Sequence, residues 1–436
     1  MYKMISRLLL FGDLGADSIL ENVAGIIHDA GDDSCDKDEL IRRSYREAKR
    51  ILDLSTDCGF DENLWQCYLT YILMTNENSF TKTCERVGSQ DGSVDIFAVE
   101  DFEVFRKLLH YDFSSLEKRL GISCFSVICN YKAIKKRERL YNHDISTQVL
   151  LLRKRLDKAE SGQEIFDIII DYYGKYGYGL FAMSRAFRIN RENDGRLSFL
   201  SISNVDNVML DDLLGYEEQK KELRANTMAF LKGKKANNVL LYGDAGTGKS
   251  TSVKALINEY YDMGLRMIEI YKHQFGDLSE VISTIKNRNY RFIIFIDDLS
   301  FEESELEYKF LKAVIEGGVE TRPENVLIYA TSNRRHLVKE TWKDREDMEH
   351  NGDIHRSDTI EEKTSLAARF GISINYNAPT PKQYHEIVRA LAERNGLSID
   401  ENELKTIANS WEIRHGGFSG RAAQQLVQYL QSMQKD

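Results

Sequence analysis

The sequence predicts an α/β protein: a five-stranded parallel sheet covered by helices, preceded by a mostly helical N-terminal domain and followed by a small helical lid. Three observations carry that expectation. Short apolar runs alternate with helical segments in the second half, the pattern of a parallel sheet buried on both faces. The only prolines are Pro323, Pro379 and Pro381, so the first 200 residues have none, which suits helices. A glycine-rich segment at 243–250 joins the first apolar run to a helix.

In the first region, residues 39–54, 64–73, 102–109 and 146–158 carry apolar side chains at helical spacing with charges between them. Gly174, Gly177 and Gly179 interrupt that pattern amid tyrosines, which read as packing residues. Residues 180–189 then lead into Asn190-Arg191-Glu192-Asn193-Asp194-Gly195, a turn that leaves a strand pair open as a reading. A chain of 436 residues exceeds one compact core. The expected domains are 1–205, a helical partner-binding domain, then 206–378, the α/β core, and 379–436, the lid.

Bulk properties exclude some classes. A formal net charge of −10 gives no support to a surface that seeks nucleic acid as a whole. No run approaches the roughly 18 apolar residues of a membrane span, and the brief apolar start lacks a signal-peptide core. A cytoplasmic protein without a membrane partner is the expectation. Cys35, Cys58, Cys67, Cys84, Cys124 and Cys129 form no C-x-x-C pair, so free buried thiols are expected rather than a zinc site.

The α/β region opens with 211–216, leading into a helix that runs to about residue 231. Strands are expected at 238–242, 266–270, 291–296, 326–330 and 372–376, and lid helices near 382–395, 401–414 and 419–433. After the first strand, Gly243-Asp244-Ala245-Gly246-Thr247-Gly248-Lys249-Ser250 matches G-x-x-x-x-G-K-[ST]. Glycines let such a loop curl so that backbone N–H groups face an anion, and the next helix, entered through Thr251, adds its positive end. Lys249 is placed to reach the β- and γ-phosphates of a nucleotide, and the Ser250 hydroxyl to ligate Mg2+. The strand at 291–296 ends in Asp297 and Asp298. Asp297 is expected to meet Mg2+ through water, and Asp298 to act as base or orienter for an attacking water. The strand at 326–330 exits through Thr331, Ser332 and Asn333. Two readings of Asn333 stand: an amide that holds the attacking water, or a helix cap.

Three segments together resemble the AAA+ ATPases. Tyr329-Ala330-Thr331-Ser332-Asn333-Arg334-Arg335-His336-Leu337 is similar to their sensor-1 segment. Leu366-Ala367-Ala368-Arg369-Phe370-Gly371 resembles their arginine-finger segment, and Phe418-Ser419-Gly420-Arg421-Ala422-Ala423 their sensor-2 helix. Residues 211–433 are similar to an uncharacterised bacterial AAA+ family, domain of unknown function 815. The resemblance implies ATP and Mg2+ as cofactors. It implies Asn333 as the sensor-1 residue and Arg421 as the sensor-2 arginine. It implies Arg369 as a finger reaching a neighbouring subunit's nucleotide, hence a homo-oligomer. Leu214, Gly215 and Tyr216 match the segment that packs beside adenine, although Tyr216 also fits ordinary core. One departure stands out: most AAA+ ATPases carry glutamate where this chain has Asp298. The site is then adjusted for aspartate, or Glu302 or Glu303 assists, or turnover is slow.

Other charged features read as surface. Lys132, Lys135, Lys136, Arg137 and Arg139 form one basic cluster and Arg153, Lys154, Arg155 and Lys158 another. A solvated helix face fits both better than a nucleic-acid groove, since no aromatic interleaving accompanies them. Residues 344–362 read as an exposed acidic loop rather than a metal site. For the whole chain, the leading expectation is ATP hydrolysis by an assembling AAA+ machine that remodels or loads an unidentified protein or nucleic-acid partner. A slow nucleotide-dependent switch or recruitment module is the alternative, and a P-loop small-molecule kinase the third.

Overall fold

The computed structural model describes residues 1–15, 17–88, 92–133, 143–202, 205–301, 307–316, 323–333, 366–415 and 417–433. Glu302, Glu303, the cluster at 135–139, residues 334–337 and the acidic stretch 344–362 therefore lie outside the described residues. The chain divides into two units, Met1–Arg185 with Ser201–Val205, and Ala186–Leu200 with Asp206–Asp436.

The first unit is helical among its described residues, from Tyr2–Ile5 to Leu180–Met183. The expected helices are present as Lys37–Cys58, Leu64–Thr75, Ser93–Leu109 and His143–Leu156. Asp36 caps the first of them by accepting from the Asp38 N–H, and Gly59 ends it in the left-handed conformation. The core is aromatic: Phe11, Trp65, Phe80, Phe102, Phe105 and Tyr173 are fully buried. Buried Asp101 accepts backbone N–H bonds from Leu9, Leu10 and Phe11 at 2.8–2.9 Å, which fixes the N-terminal segment over that core. Tyr172, Tyr173 and Tyr178 are buried packing residues. In the second basic cluster Lys154, Arg155 and Lys158 are exposed, as a solvated face requires, and Arg153 is the exception. Arg153 is buried, bonded to Gln66 Oε1 at 2.9 Å and paired with Glu62, and Arg155 meets Asp171 at 2.7 Å. A guanidinium can be buried there because each of these partners satisfies part of its donor fork.

All six cysteines are free thiols. Burial pushes Cys67 and Cys84 up to about 12, and Cys58, Cys124 and Cys129 to about 11. Since the thiolate is the nucleophile, a disulfide reagent at pH 8 should label Cys35 first, partly buried Cys129 more slowly, and the four buried thiols only on unfolding. Prompt labelling of Cys67 or Cys84 in the native protein would contradict this packing.

The second unit holds a seven-stranded sheet in the order β2-β1-β4-β5-β6-β3-β7. The strands are β1 (Ala186–Arg191), β2 (Leu197–Ser201), β3 (Val239–Gly243), β4 (Leu265–Glu269), β5 (Arg291–Ile296), β6 (Val326–Ser332) and β7 (Ile372–Tyr376). The five expected strands are β3 to β7, paired in parallel throughout. The count of five is corrected to seven because the hairpin at 186–201 joins the edge, β1 pairing in parallel with β4 from Ala186↔Met267. Pairing of an edge strand is set by packing rather than by the turn that identifies the hairpin. β3 lies between β6 and β7, although β4 follows it in the chain. The crossovers from β3 and from β6 thus leave in opposite directions, which opens a crevice beyond the carboxyl end of β3.

The lid consists of Pro381–Arg394, Glu401–His415 and Gly420–Met433. Thr380 and Gln383 form a capping box at its first helix, with Pro381 in the first turn. Tyr384, Ile387, Val388, Leu404, Ala408, Leu426 and Val427 make its core. Among the described residues, no helix is long and apolar enough to cross a membrane.

Candidate nucleotide site

β3 delivers the glycine-rich loop into the crevice, and the helix Lys249–Tyr260 starts at its end with Gly248 as the capping residue. Two glycines are demanded by space as well as by conformation. A Cβ on Gly243 (φ 133°) would sit 2.2 Å from the Tyr376 carbonyl oxygen of β7. A Cβ on Gly246 (φ 74°) would crowd Ser419 and Arg421 at 3.1–3.2 Å. The loop therefore touches both the sheet edge and the lid. It is tied to them by the Asp244 N–H to Tyr376 O at 3.0 Å and by the Arg421 N–H to Gly246 O at 3.1 Å. Asp244 Oδ2 accepts from the Ala378 N–H at 2.6 Å, and Thr247 Oγ1 donates to Asp244 O at 2.9 Å. Ala245 is exposed at the loop's crest, and Thr251 stands in the first turn of the helix.

Lys249 is buried, with Nζ donating to Gly243 O (3.0 Å), Asp244 O (2.6 Å) and Asn333 Oδ1 (3.0 Å). Burial holds its pKa below the ordinary lysine value, opposed by the charges of Asp244, Asp298 and Asp297 and aided by Arg421.

The β5/β6 register, Ile296↔Ala330, places the next residues of the two strands side by side. Asp297 Oδ1 accepts from Ser250 Oγ at 2.5 Å and from Thr331 Oγ1 at 2.6 Å. Lys254 Nζ stands 4.0 Å from the other oxygen of Asp297. Asp298 adopts a left-handed backbone, φ 53°. Its N–H donates to Thr331 Oγ1 at 3.0 Å, and its Oδ1 accepts from Asn333 Nδ2 at 2.8 Å. Asn333 thus links Lys249 to Asp298 rather than capping a helix among the described residues. A hydroxyl and a carboxylate together form an all-oxygen set, the donor chemistry that a hard cation such as Mg2+ takes.

On the lid side, Ser419 Oγ accepts from the Ala422 N–H at 3.1 Å, which caps the start of Gly420–Met433 and fixes Arg421 in its first turn. Leu214, Gly215 and Tyr216 line a cavity of about 750 Å³ with residues that include Asn377, Pro379, Gln383 and Ile387. Tyr216 is half-buried, stacked on Tyr376 at 5.0 Å, and its hydroxyl donates to Asn377 O at 2.8 Å. Burial pushes that phenol up to about 12.

Arg369 is the one residue of the set that the structure does not bring to this loop. Ile372 pairs with Val239 and Tyr376 with Gly243, so Arg369 precedes β7 at the end of the sheet away from the loop. At about 3.3 Å per residue, the four steps from Ile372 to Tyr376 alone span about 13 Å. The sequence reading missed Thr331 as a contact of both aspartates, and Lys254. Thr331 was visible only as part of a polar strand exit, and the strand register is the signal that selects it.

The family model described as "Protein of unknown function (DUF815)" matches residues 182–434, more than half of the chain. An AAA-ATPase of Arabidopsis thaliana is 27% identical over an alignment of 201 residues that covers 42% of this chain and 40% of that protein. The chain thus spans less than half the length of this curated relative. Among solved structures, the Thermotoga maritima RuvB Holliday junction branch migration motor is similar at 20% identity and TM-score 0.36, over 52% of this chain and 64% of that one. A single-residue mutant of the same RuvB gives 18% identity and TM-score 0.36, over 52% and 65%.

Proposed function

The chain belongs to the DUF815 family and is an AAA+ ATPase in general type, and from the loop and its neighbours we propose that it binds ATP with Mg2+ and hydrolyses it. One observation carries the proposal. The loop residues Lys249 and Ser250 are bonded directly to the sheet-end residues Asn333 and Asp297, so the phosphate cradle and the carboxylates form one connected site.

In this reading the N–H groups of residues 245–249 surround the phosphate oxygens, the Asp244 N–H being held by Tyr376 O, with Gly243, Gly246 and Gly248 giving the loop its curl. Lys249 exchanges a carbonyl partner for a phosphate oxygen. Bound Mg2+ would supply charge neutralisation on the phosphates, held by Ser250 and, through water, Asp297. Asp298 orients the attacking water and accepts its proton, and Asn333 fixes that carboxylate. Arg421 reports on the terminal phosphate from the lid. Leu214, Gly215 and Tyr216 pack beside the adenine. Arg369 completes the site of a neighbouring copy, so the active form is a homo-oligomer. The helical N-terminal unit, Met1–Arg185 with Ser201–Val205, engages the protein or nucleic acid that is remodelled or loaded.

A second reading, a slow switch that recruits a partner, draws on Asp298, whose side chain is one methylene shorter than glutamate. The two differ in turnover and share the binding site. Lys249→Ala separates both from any function that does not bind nucleotide. The variant should lose at least about tenfold in affinity for a fluorescent ATP analogue, since the phosphates lose a charge-assisted partner. Equal affinity in wild type and variant would end the proposal.

A further inference from the structure

We infer that Thr331 is the positioning residue that sets both aspartates of the site, and that it is what allows an aspartate to serve at position 298. The inference rests on the ATPase reading above. Thr331 is fully enclosed at 1% exposure, and its hydroxyl has one proton to give. That proton goes to Asp297 Oδ1 at 2.6 Å, and Thr331 Oγ1 itself accepts the Asp298 N–H at 3.0 Å. The Thr331 carbonyl accepts the Leu299 N–H at 2.6 Å. One residue of β6 therefore holds the side chain of Asp297 and grips the backbone of Asp298 on both sides.

That grip has something to hold. Asp298 is one of three non-glycine residues with positive φ among the described residues, with Glu62 and Tyr216. Aspartate enters the left-handed region more readily than most L-residues, but still at a cost that its surroundings offset. A carboxylate one methylene short of glutamate depends more heavily on where its backbone puts it. Here the left-handed backbone ends in the 2.8 Å bond from Asn333 Nδ2 to Asp298 Oδ1. Thr331 acts through the aspartates and has no contact of its own to make with substrate.

The competing account is that Thr331 is a β-branched filler of a buried strand, in which case valine should do as well. At saturating Mg2+, Thr331→Val should lower kcat about 10–100-fold while KM and ATP affinity stay within about threefold, because the loss is one of placement. Thr331→Ser keeps the hydroxyl and should stay within about threefold of wild type. Wild-type kcat in the valine variant overturns the inference, as does a serine variant no faster than the valine one. If the valine variant fails to fold, Thr331→Ala against Thr331→Ser carries the test: serine must be the faster by at least about tenfold. If the wild type turns over no ATP, the ATPase reading fails, and Thr331 is then judged by Mg2+-dependent binding of a non-hydrolysable ATP analogue. A Mg2+ requirement raised about tenfold in Thr331→Val supports the positioning role, as loss of an outer partner weakens metal sites by 10–100-fold. An unchanged requirement refutes it.

Discussion

Asp298→Asn should bind ATP as the wild type does and hydrolyse it at least about 100-fold more slowly, the lower end of what a positioned proton acceptor contributes. Asparagine has the same shape and keeps an oxygen for the Asn333 Nδ2 bond. The backbone bond from residue 298 to Thr331 Oγ1 is independent of the side chain. The loop's own ties, to Tyr376 O and from the Arg421 N–H, are elsewhere. Binding and folding are thus insulated from the substitution, and basicity is what it removes. Equilibrium binding of a fluorescent ATP analogue and phosphate release on one preparation separate the two. Unchanged phosphate release would remove Asp298 from its assigned role. Loss of binding together with turnover would show that the residue supports the loop instead.

Arg369→Ala should lower turnover by about 10³–10⁵, the range of an arginine supplied in trans. The expectation follows from where the residue is. Arg369 precedes β7, whose Ile372 pairs with Val239 at the start of β3, while the loop leaves the other end of β3. It cannot complete the site of its own chain without refolding the edge of the sheet. The chain runs from it into β7 through Gly371, where a Cβ would meet Asn237 Oδ1 at 2.6 Å. A trans role makes a second prediction of the same kind. Mixing Arg369→Ala with Lys249→Ala should recover part of the activity, because the lysine variant lends its arginine to the arginine variant's intact site. Turnover unaffected in Arg369→Ala, or no recovery on mixing, would count against completion in trans.

The parts of this site that could be read from sequence are those written in contiguous residues. The loop at 243–250 is such a run, and its strand and helix flanks follow from apolar periodicity. β3 to β7 and the lid helices fall within two residues of expectation, since proline, glycine and capping residues mark their ends. What sequence could not give is what depends on register between distant strands. Thr331 and Asp297 lie 34 residues apart, and only the β5/β6 pairing makes them neighbours. The left-handed turn at Asp298 was likewise hidden, since aspartate is no glycine and its chemistry alone drew notice. Arg153 was misplaced on a solvated face because its partners Gln66 and Glu62 come from a remote part of the chain. The hairpin turn at 190–195 was legible, but its docking on β4 was not.

The central claim is that residues 243–250, with the carboxylates at the end of β5, turn over ATP. Steady-state phosphate release by the full chain with ATP and Mg2+, set beside Lys249→Ala from the same purification, tests it most directly. The account predicts Mg2+-dependent release by the wild type that is lost in the lysine variant. No release by the wild type at any protein concentration, or equal release by both proteins, would contradict it.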